Sequence, residues 1–317
     1  MAPAKARYVV PDQSGRTAIV TGANSGLGLA VTRALAEKNA RVIMACRDEE
    51  KGRRARQWIL EELPHADLRV EQLDLSSLQS VRHFSRRLSP GLSHLDLLVN
   101  NAGVMVIPER RSAEGYEMHF ATNHLGHFLL TGLLMPQLLV VGNSRVVVVT
   151  SLAVRGARIN FDDLMGEKRY DSMAMYYQSK LANLMFGLEL QRRLERGGAA
   201  TSAVIAHPGL TLTNTYYAQS GSTFQRMLLP ALRRFALQSP EDGAQPLLYA
   251  ATSPDARPGG FYGPAHRNES RGPPAEARIP GRAMDEDVAR RLWQKSEQLV
   301  DFTYPGLVPQ DECRQGL

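Results

Sequence analysis

Cysteine is nearly absent: Cys46 and Cys313 are the two in 317 residues. That count excludes a disulfide framework or a cysteine-rich metal site, and it fits a reducing, cytoplasmic setting. Cys46 closes an apolar run and reads as a buried thiol. Long hydrophobic runs are missing as well. No window approaches the ~18 uninterrupted apolar residues of a membrane span. The richest stretch, 128–141, contains Pro136 and Gln137 and reads as core helix. Residues 1–15 have no apolar segment of the signal-peptide kind. Lysine is scarce, at six copies among 38 Lys and Arg residues. The basic residues fall in pairs such as Arg53-Arg54, Arg86-Arg87 and Arg233-Arg234, never in a long run. The net charge of +6 is therefore scattered, and nucleic acid is not an expected partner.

What is present is core material in a regular alternation. Hydrophobic residues make up 43% and charged residues 22%. Short apolar runs at 17–20, 41–45, 68–73, 96–100, 145–150 and 203–206 read as strands buried on both faces. Between them, helical patterns occupy 27–39, 49–63, 77–88 (with Ser76 as N-cap), 116–139 and 176–196. This βα order predicts an α/β fold: a single doubly wound parallel sheet with helices on both faces. One domain spanning 1–317 is expected, with its core at 15–209. Beyond it, 210–237 reads as a substrate lid and 240–251 as a helix. Phe261-Tyr262 reads as a last short strand, 264–282 as an exposed Pro/Gly/Arg-rich loop, and 285–299 as a closing helix.

The first strand runs into Thr21-Gly22-Ala23-Asn24-Ser25-Gly26-Leu27-Gly28. Glycine allows the tight turn and lets backbone approach a pyrophosphate closely. The helix that follows offers free N–H groups and the positive end of its dipole. Between a strand and a helix, with βα units after it, this pattern predicts a dinucleotide cradle in a Rossmann-like sheet. Gly22, Asn24, Ser25, Gly26, Leu27 and Gly28 are its candidate residues.

Cofactor choice should lie at the end of the second strand, where an acid would hold an adenine ribose hydroxyl. Cys46 stands there instead, followed by Arg47. A guanidinium suits a 2′-phosphate, so NADP(H) is favoured over NAD(H). Asp48, one residue on, is the competing acid. Arg47 could also be a solvated charge at the start of a helix.

With further motifs in order along the chain, the sequence resembles the short-chain dehydrogenase/reductase family. Asp74-Leu75 looks like the pair that frames the adenine. Asn100-Asn101-Ala102-Gly103 matches the family's NNAG signature, so Asn101, Ala102 and Gly103 would line the cofactor. Asn123 falls where the family has a structural and proton-relay asparagine, and Ser151 where its catalytic serine follows the fifth strand. Tyr176-x-x-x-Lys180 matches the signature pair. Pro208-Gly209, with Thr211 and Thr213 after it, matches the motif beside the nicotinamide. The resemblance implies that Lys180 also holds the nicotinamide ribose.

On a helix, residues i and i+4 share a face, so Lys180 can sit beneath Tyr176. Free tyrosine has a pKa of about 10, too high for a base near neutrality. A nearby ammonium and an oxidised nicotinamide would both lower it. Tyr176 then exchanges a proton with the substrate oxygen, and Ser151 orients that oxygen. Thr150 is an alternative source of the hydroxyl. Tyr177 lacks a lysine at its own +4 position, which is Leu181. His124 and His127 have no third ligand nearby and read as packing residues; no metal is expected.

Ala45-Cys46-Arg47-Asp48, Asn123-His124-Leu125-Gly126-His127-Phe128 and Gln178-Ser179-Lys180-Leu181-Ala182-Asn183 are similar to the retinol dehydrogenase-like branch. Arg291-Leu292-Trp293 fits it too. Members often read Ser-Ser-x-Ala-His after the fifth strand, whereas this chain reads Thr150-Ser151-Leu152-Ala153-Val154. Tyr216, Tyr217, Phe224, Met227, Leu228, Leu229 and Leu232 make the lid apolar, which predicts a hydrophobic ketone, aldehyde or alcohol as substrate. Weak contact with a membrane surface is a second use of that segment, given Arg226, Arg233 and Arg234. The family's usual dimer helices are 116–139 and 176–196, so a homodimer is possible. Competing readings are a reductase of C=N or C=C bonds and a non-catalytic NADP(H)-binding regulator.

Overall fold

The computed structural model describes residues 7–211, 238–304 and 307. Most of the expected lid, including Thr213, lies outside the described residues, as does Cys313. The apolar runs form an eight-stranded sheet in the order β3-β2-β1-β4-β5-β6-β7-β8. These strands are β1 (Thr17–Thr21), β2 (Arg41–Cys46), β3 (Leu68–Gln72), β4 (Leu97–Asn100), β5 (Arg145–Val149), β6 (Ser202–Ala206), β7 (Phe261–His266) and β8 (Arg271–Glu276). The first seven pair in parallel and only β8 is antiparallel. The order reverses at β1/β4, which opens a crevice at the carboxyl ends of the strands.

Strand residues alternate between two cores, because both faces of the sheet are covered. Ile19, Val146 and Val148 face one core, and Ala18, Val20, Val147 and Val149 face the other. The first core is closed by α3 (Leu78–Leu88), α4 (Gly126–Leu139), α5 (Ser172–Arg196) and the last helix, α7 (Glu286–Val300). The second is closed by α1 (Gly26–Glu37), α2 (Glu49–Glu62) and α6 (Pro240–Thr252). No described helix is long and apolar enough to cross a membrane.

Side-chain caps account for several helix starts. Asp48 accepts from Lys51 N at 3.0 Å, Ser77 from Ser80 N at 3.2 Å and Asp171 from Ala174 N at 2.9 Å. The expected cap Ser76 instead donates its hydroxyl to Asp74 at 2.7 Å, so the cap shifts by one residue. Asp171 caps α5, which begins at Ser172, four residues before Tyr176, and this places Tyr176 inside the helix rather than at its end. The expected helix at 116–139 is not uniform: a π-helical turn, Phe120–Leu125, precedes α4.

The stretch 264–282 is not an exposed loop. It completes β7 and forms β8, with Tyr262 opposite Glu276 and Gly263 opposite Ala275. Pro273 and Pro274 are tolerated because β8 is the edge strand, where a missing N–H interrupts no outer ladder. The prolines and glycines that suggested a loop are the marks of an edge hairpin.

α7 lies over α4 and α5. Trp293 packs edge-on against Phe128 at 4.9 Å between centroids and tilted against Tyr304 at 4.7 Å. The Tyr304 hydroxyl donates to Phe128 O at 2.5 Å, and the Arg193 guanidinium sits 4.4 Å over the indole.

Candidate active site

Almost every described candidate residue lies at the carboxyl end of a strand. The glycine loop follows β1, Arg47 follows β2, Asp74-Leu75 follow β3 closely, Asn101–Gly103 follow β4, Ser151 follows β5 and Pro208-Gly209 follow β6. Asn123, Tyr176 and Lys180 come from the helical segments between strands.

The glycine loop fits a dinucleotide. Gly22 and Gly26 have φ of 67° and 53°, in the left-handed region. A Cβ at Gly28 would lie 2.3 Å from Gly22 O and 2.7 Å from Asn101 Nδ2, so only glycine lets α1 begin this close to the loop. Ser25, at the N-cap, makes no side-chain bond to the helix, and no acid stands in the first turn. The start of α1 is therefore open to an anion. Asn101 Nδ2 donates to Thr21 O at 2.8 Å, and the Thr21 hydroxyl accepts from Asn101 N and Ala102 N, both at 2.9 Å. Thr21 thus locks the NNAG segment to the cradle. Cys46 lies beneath the same loop, where burial pushes its thiol up to about 12 against the Ala23 and Asn24 amides; it is an inert packing group.

At the cofactor-choice position Arg47 is exposed. Asp48, the competing acid, is occupied: it caps α2 and its second oxygen lies 3.1 Å from Lys51 Nζ. Asp74 is held in its turn by Ser76 N at 2.9 Å. The Thr211 hydroxyl and Gln238 Nε2 both donate to Pro208 O at 2.9 Å, which boxes in the Pro208-Gly209 turn.

Tyr176 and Lys180 are both buried, one turn apart on α5. The Ser151 side chain, which accepts from Ala153 N at 3.2 Å, lies beside the Tyr176 phenol. Burial raises the phenol above its ordinary pKa and the neighbouring Ser151 hydroxyl opposes the rise. Thr150 is committed elsewhere, donating to Lys180 O at 2.6 Å from a fully buried position. Of the two hydroxyls, Ser151 is the one that reaches the tyrosine. Burial lowers the Lys180 amine to about 8. It has no hydrogen-bond or ion-pair partner among the described residues, and a Cβ at Gly103 would lie 3.3 Å from its Nζ. The missing side chain at Gly103 keeps a space in front of a buried cation. Together with the glycine cradle, that space fits the sugar and phosphates of a nicotinamide cofactor.

Asn123 is fully engaged. Its Oδ1 accepts from Val104 N at 2.8 Å, and its Nδ2 donates to Val104 O at 3.0 Å and to Ser179 at 2.9 Å. It ties the π-turn to the chain after Gly103 and to the residue before Lys180. His127 bonds Asn123 O at 3.0 Å and the Thr21 hydroxyl at 2.9 Å, while His124 bonds Ser296 at 2.9 Å. Both imidazoles are buried and held neutral, at about 4 and about 3, chiefly by desolvation. Among the described residues no group of three His, Cys, Asp or Glu converges as a metal site would require.

Sequence reasoning missed two polar groups. Glu117 and His119 form a buried pair at 2.7 Å, and the His119 ring stands edge-on to Tyr176 at 6.3 Å. His207 and Glu269 meet at 3.1 Å beside the Pro208-Gly209 turn. Neither pair has a spacing signal in the sequence.

A dinucleotide cradle at the switch point of the sheet, with Ser151 after β5 and Tyr176 and Lys180 on the α5 that follows, defines a nicotinamide-dependent oxidoreductase. The short chain dehydrogenase profile matches residues 16–220, and the chain belongs to that family, in its retinol dehydrogenase-like branch. It is 40% identical to retinol dehydrogenase 14 of Mus musculus over 298 residues, covering 90% of this chain and 86% of that one. It is 39% identical to polyprenol dehydrogenase of Mus musculus, covering 92% and 86%. A crystal structure of an uncharacterized protein from Mycobacterium paratuberculosis superposes with a TM-score of 0.78 at 38% identity, covering 95% of this chain and all of that one. The chain is accordingly an NAD(P)-dependent oxidoreductase.

Proposed function

We propose that the protein transfers hydride between NADP(H) and a hydrophobic ketone or aldehyde, or the corresponding alcohol, with Tyr176 as general acid/base. The observation that carries this is the buried Tyr176 phenol beside the Ser151 side chain, one helical turn from the unpartnered, buried Lys180 amine.

The nicotinamide supplies the hydride in reduction and takes it up in oxidation. Ser151 binds the substrate oxygen and fixes its direction. Tyr176 donates its phenolic proton to that oxygen in reduction and accepts one in oxidation. Burial keeps the phenol protonated at neutral pH, which is the form that reduction needs. The Lys180 charge would hold the nicotinamide ribose and favour the phenolate once the proton has gone. Gly22, Asn24, Ser25, Gly26, Leu27 and Gly28 hold the pyrophosphate, while Asp74, Leu75, Asn101, Ala102 and Gly103 line the adenosine side. Pro208, Gly209 and Thr211 would border the nicotinamide; Thr213, expected beside them, lies outside the described residues. NADP(H) is favoured because Arg47 is exposed and free to take a 2′-phosphate while Asp48 is spent on the α2 cap.

An apolar substrate is supported by Val104, Met105, Val106 and Ile107. These half-buried residues follow Gly103, and Ile107 O is tied to Tyr170 and Ser172 at the start of α5. Relatives named for retinol and polyprenol, both apolar alcohols, point the same way.

The test is NADPH oxidation against a panel of hydrophobic carbonyls, with NADH in parallel and Tyr176→Phe alongside. The variant is expected to keep NADPH binding and lose about 10²–10⁴-fold in turnover. Unchanged turnover would remove Tyr176 from the chemistry, and a preference for NADH would remove Arg47 from cofactor choice.

A further inference from the structure

The turn between β7 and β8 is built against local preference. Arg267, Asn268 and Glu269 have φ of 50°, 57° and 63°, three successive left-handed residues. Such residues normally occur singly, and a run persists only where its surroundings hold it. Here the surroundings are the candidate site. Arg155, from the segment Leu152–Gly156 that follows Ser151, donates to Asn268 O at 3.2 Å and pairs with Glu269 Oε2 at 2.9 Å. Arg278 N donates to the other oxygen, Oε1, at 3.1 Å. Leu210 N donates to Ser270 O at 2.9 Å, and Gly209, at φ 70°, lies so near that a Cβ there would stand 2.5 Å from Ser270 O.

His207 is the centre of this contact. Its ring is fully buried, and a Cβ at Gly263 would fall 2.0 Å from Nε2, so glycine in β7 makes room for it. Gly209 N–H donates to His207 Nδ1 at 3.2 Å, which leaves Nδ1 without a proton. Nε2 therefore carries the hydrogen and donates to Glu269 at 3.1 Å. A carboxylate can only accept, so Glu269 selects this tautomer. In the other tautomer, Nδ1–H would face Gly209 N–H, donor against donor, and the turn at Pro208-Gly209 would have to open. Burial would raise the Glu269 carboxyl, but its bonds to His207 and Arg278 N and the Arg155 charge bring it down to about 2, so it is charged at neutral pH.

We propose that Glu269 is a positioning residue for the nicotinamide-binding loop: through His207 it fixes the Pro208-Gly209 turn, and through Arg155 it ties that turn to the segment carrying Ser151. The inference rests on the NADP(H) reading given above. One carboxylate on the hairpin thereby sets the cofactor loop and the substrate-orienting hydroxyl relative to each other.

The test uses the full chain and reads NADPH binding directly, by titration of cofactor fluorescence, beside kcat, KM and thermal stability. Glu269→Ala is expected to weaken NADPH binding about tenfold, the scale of a lost charge-assisted hydrogen bond. Glu269→Gln, whose amide oxygen still accepts from Nε2–H, is expected to recover most of that loss. Arg155→Ala, altered at a partly exposed side chain, is expected to lower kcat while NADPH binding changes little. Wild-type binding by Glu269→Ala would overturn the proposal, as would a Glu269→Gln variant no better than alanine or an Arg155→Ala variant with unaltered kcat. If the wild-type chain bound neither NADPH nor NADH, the functional reading itself would fail, and this inference with it.

Discussion

Lys180 sits in the interior with no acceptor among the described residues, and burial holds its amine at about 8 rather than 10.5. Between those values the unfolded chain binds the proton and the folded one does not, so stability from this group rises with pH there. Below about 8 both states are protonated and the full cost applies, about 3 kcal/mol. Lys180→Met is therefore expected to raise Tm by about 2–5 °C at pH 7 in a calorimetric scan while removing activity. The same amine loses its charge as pH rises through about 8, so NADPH affinity should fall above that pH in the wild type. A Tm that drops in the methionine variant would mean that the cation is paired in solution. Helical spacing set Tyr176 and Lys180 one turn apart, and the family resemblance chose Ser151 after the fifth strand with Thr150 as the alternative; that the Thr150 hydroxyl turns back to Lys180 O shows only in the structure. Glu269 was invisible for a similar reason: it acts on His207 across 62 residues, through a hairpin that the prolines disguised.

Among the elements, the glycine loop and α1 leave little room for change. A Cβ at Gly28 would have to displace Gly22 O and the Asn101 amide together. Gly28→Ala is expected to cost about 1–3 kcal/mol and to weaken NADPH binding at least tenfold, measured by denaturation and by titration. Wild-type affinity in that variant would mean that the loop does not hold the pyrophosphate. Strand positions were readable because a buried parallel strand is a short apolar run, and each of the six expected runs lies in the sheet. Helix ends were less so, since they are set by which polar side chain turns back to cap them. Ser77 rather than Ser76, and Asp171 five residues ahead of Tyr176, are matters of local rotamer and backbone. The π-turn that carries Asn123 leaves the apolar periodicity of its helix nearly unchanged, so only the backbone discloses it.

At the scale of the whole molecule, the sheet has one core on each face, and the first is sealed by α7. The doubly wound arrangement was readable from the βα order, but the covering of α4 and α5 was not, because an apolar stripe looks the same whether it meets a partner or its own chain. Trp293 is the largest fully buried side chain, wedged among Phe128, Phe186 and Tyr304. Trp293→Ala is expected to destabilise the fold by about 3–5 kcal/mol in chemical denaturation. A loss below about 1 kcal/mol would show that α7 is an accessory rather than part of the core.

α7 also sets a timetable. A chain is made from its N-terminus, so the glycine cradle, α4 and α5 leave the ribosome well before the segment that shelters their outer faces. Until residues 286–304 arrive, Phe128 and Phe186 have no indole to pack against. A transcript cut short or a stalled ribosome would release a nearly complete catalytic domain with the aromatic surface around Phe128 and Phe186 bare, a natural client for chaperones and a seed for aggregation.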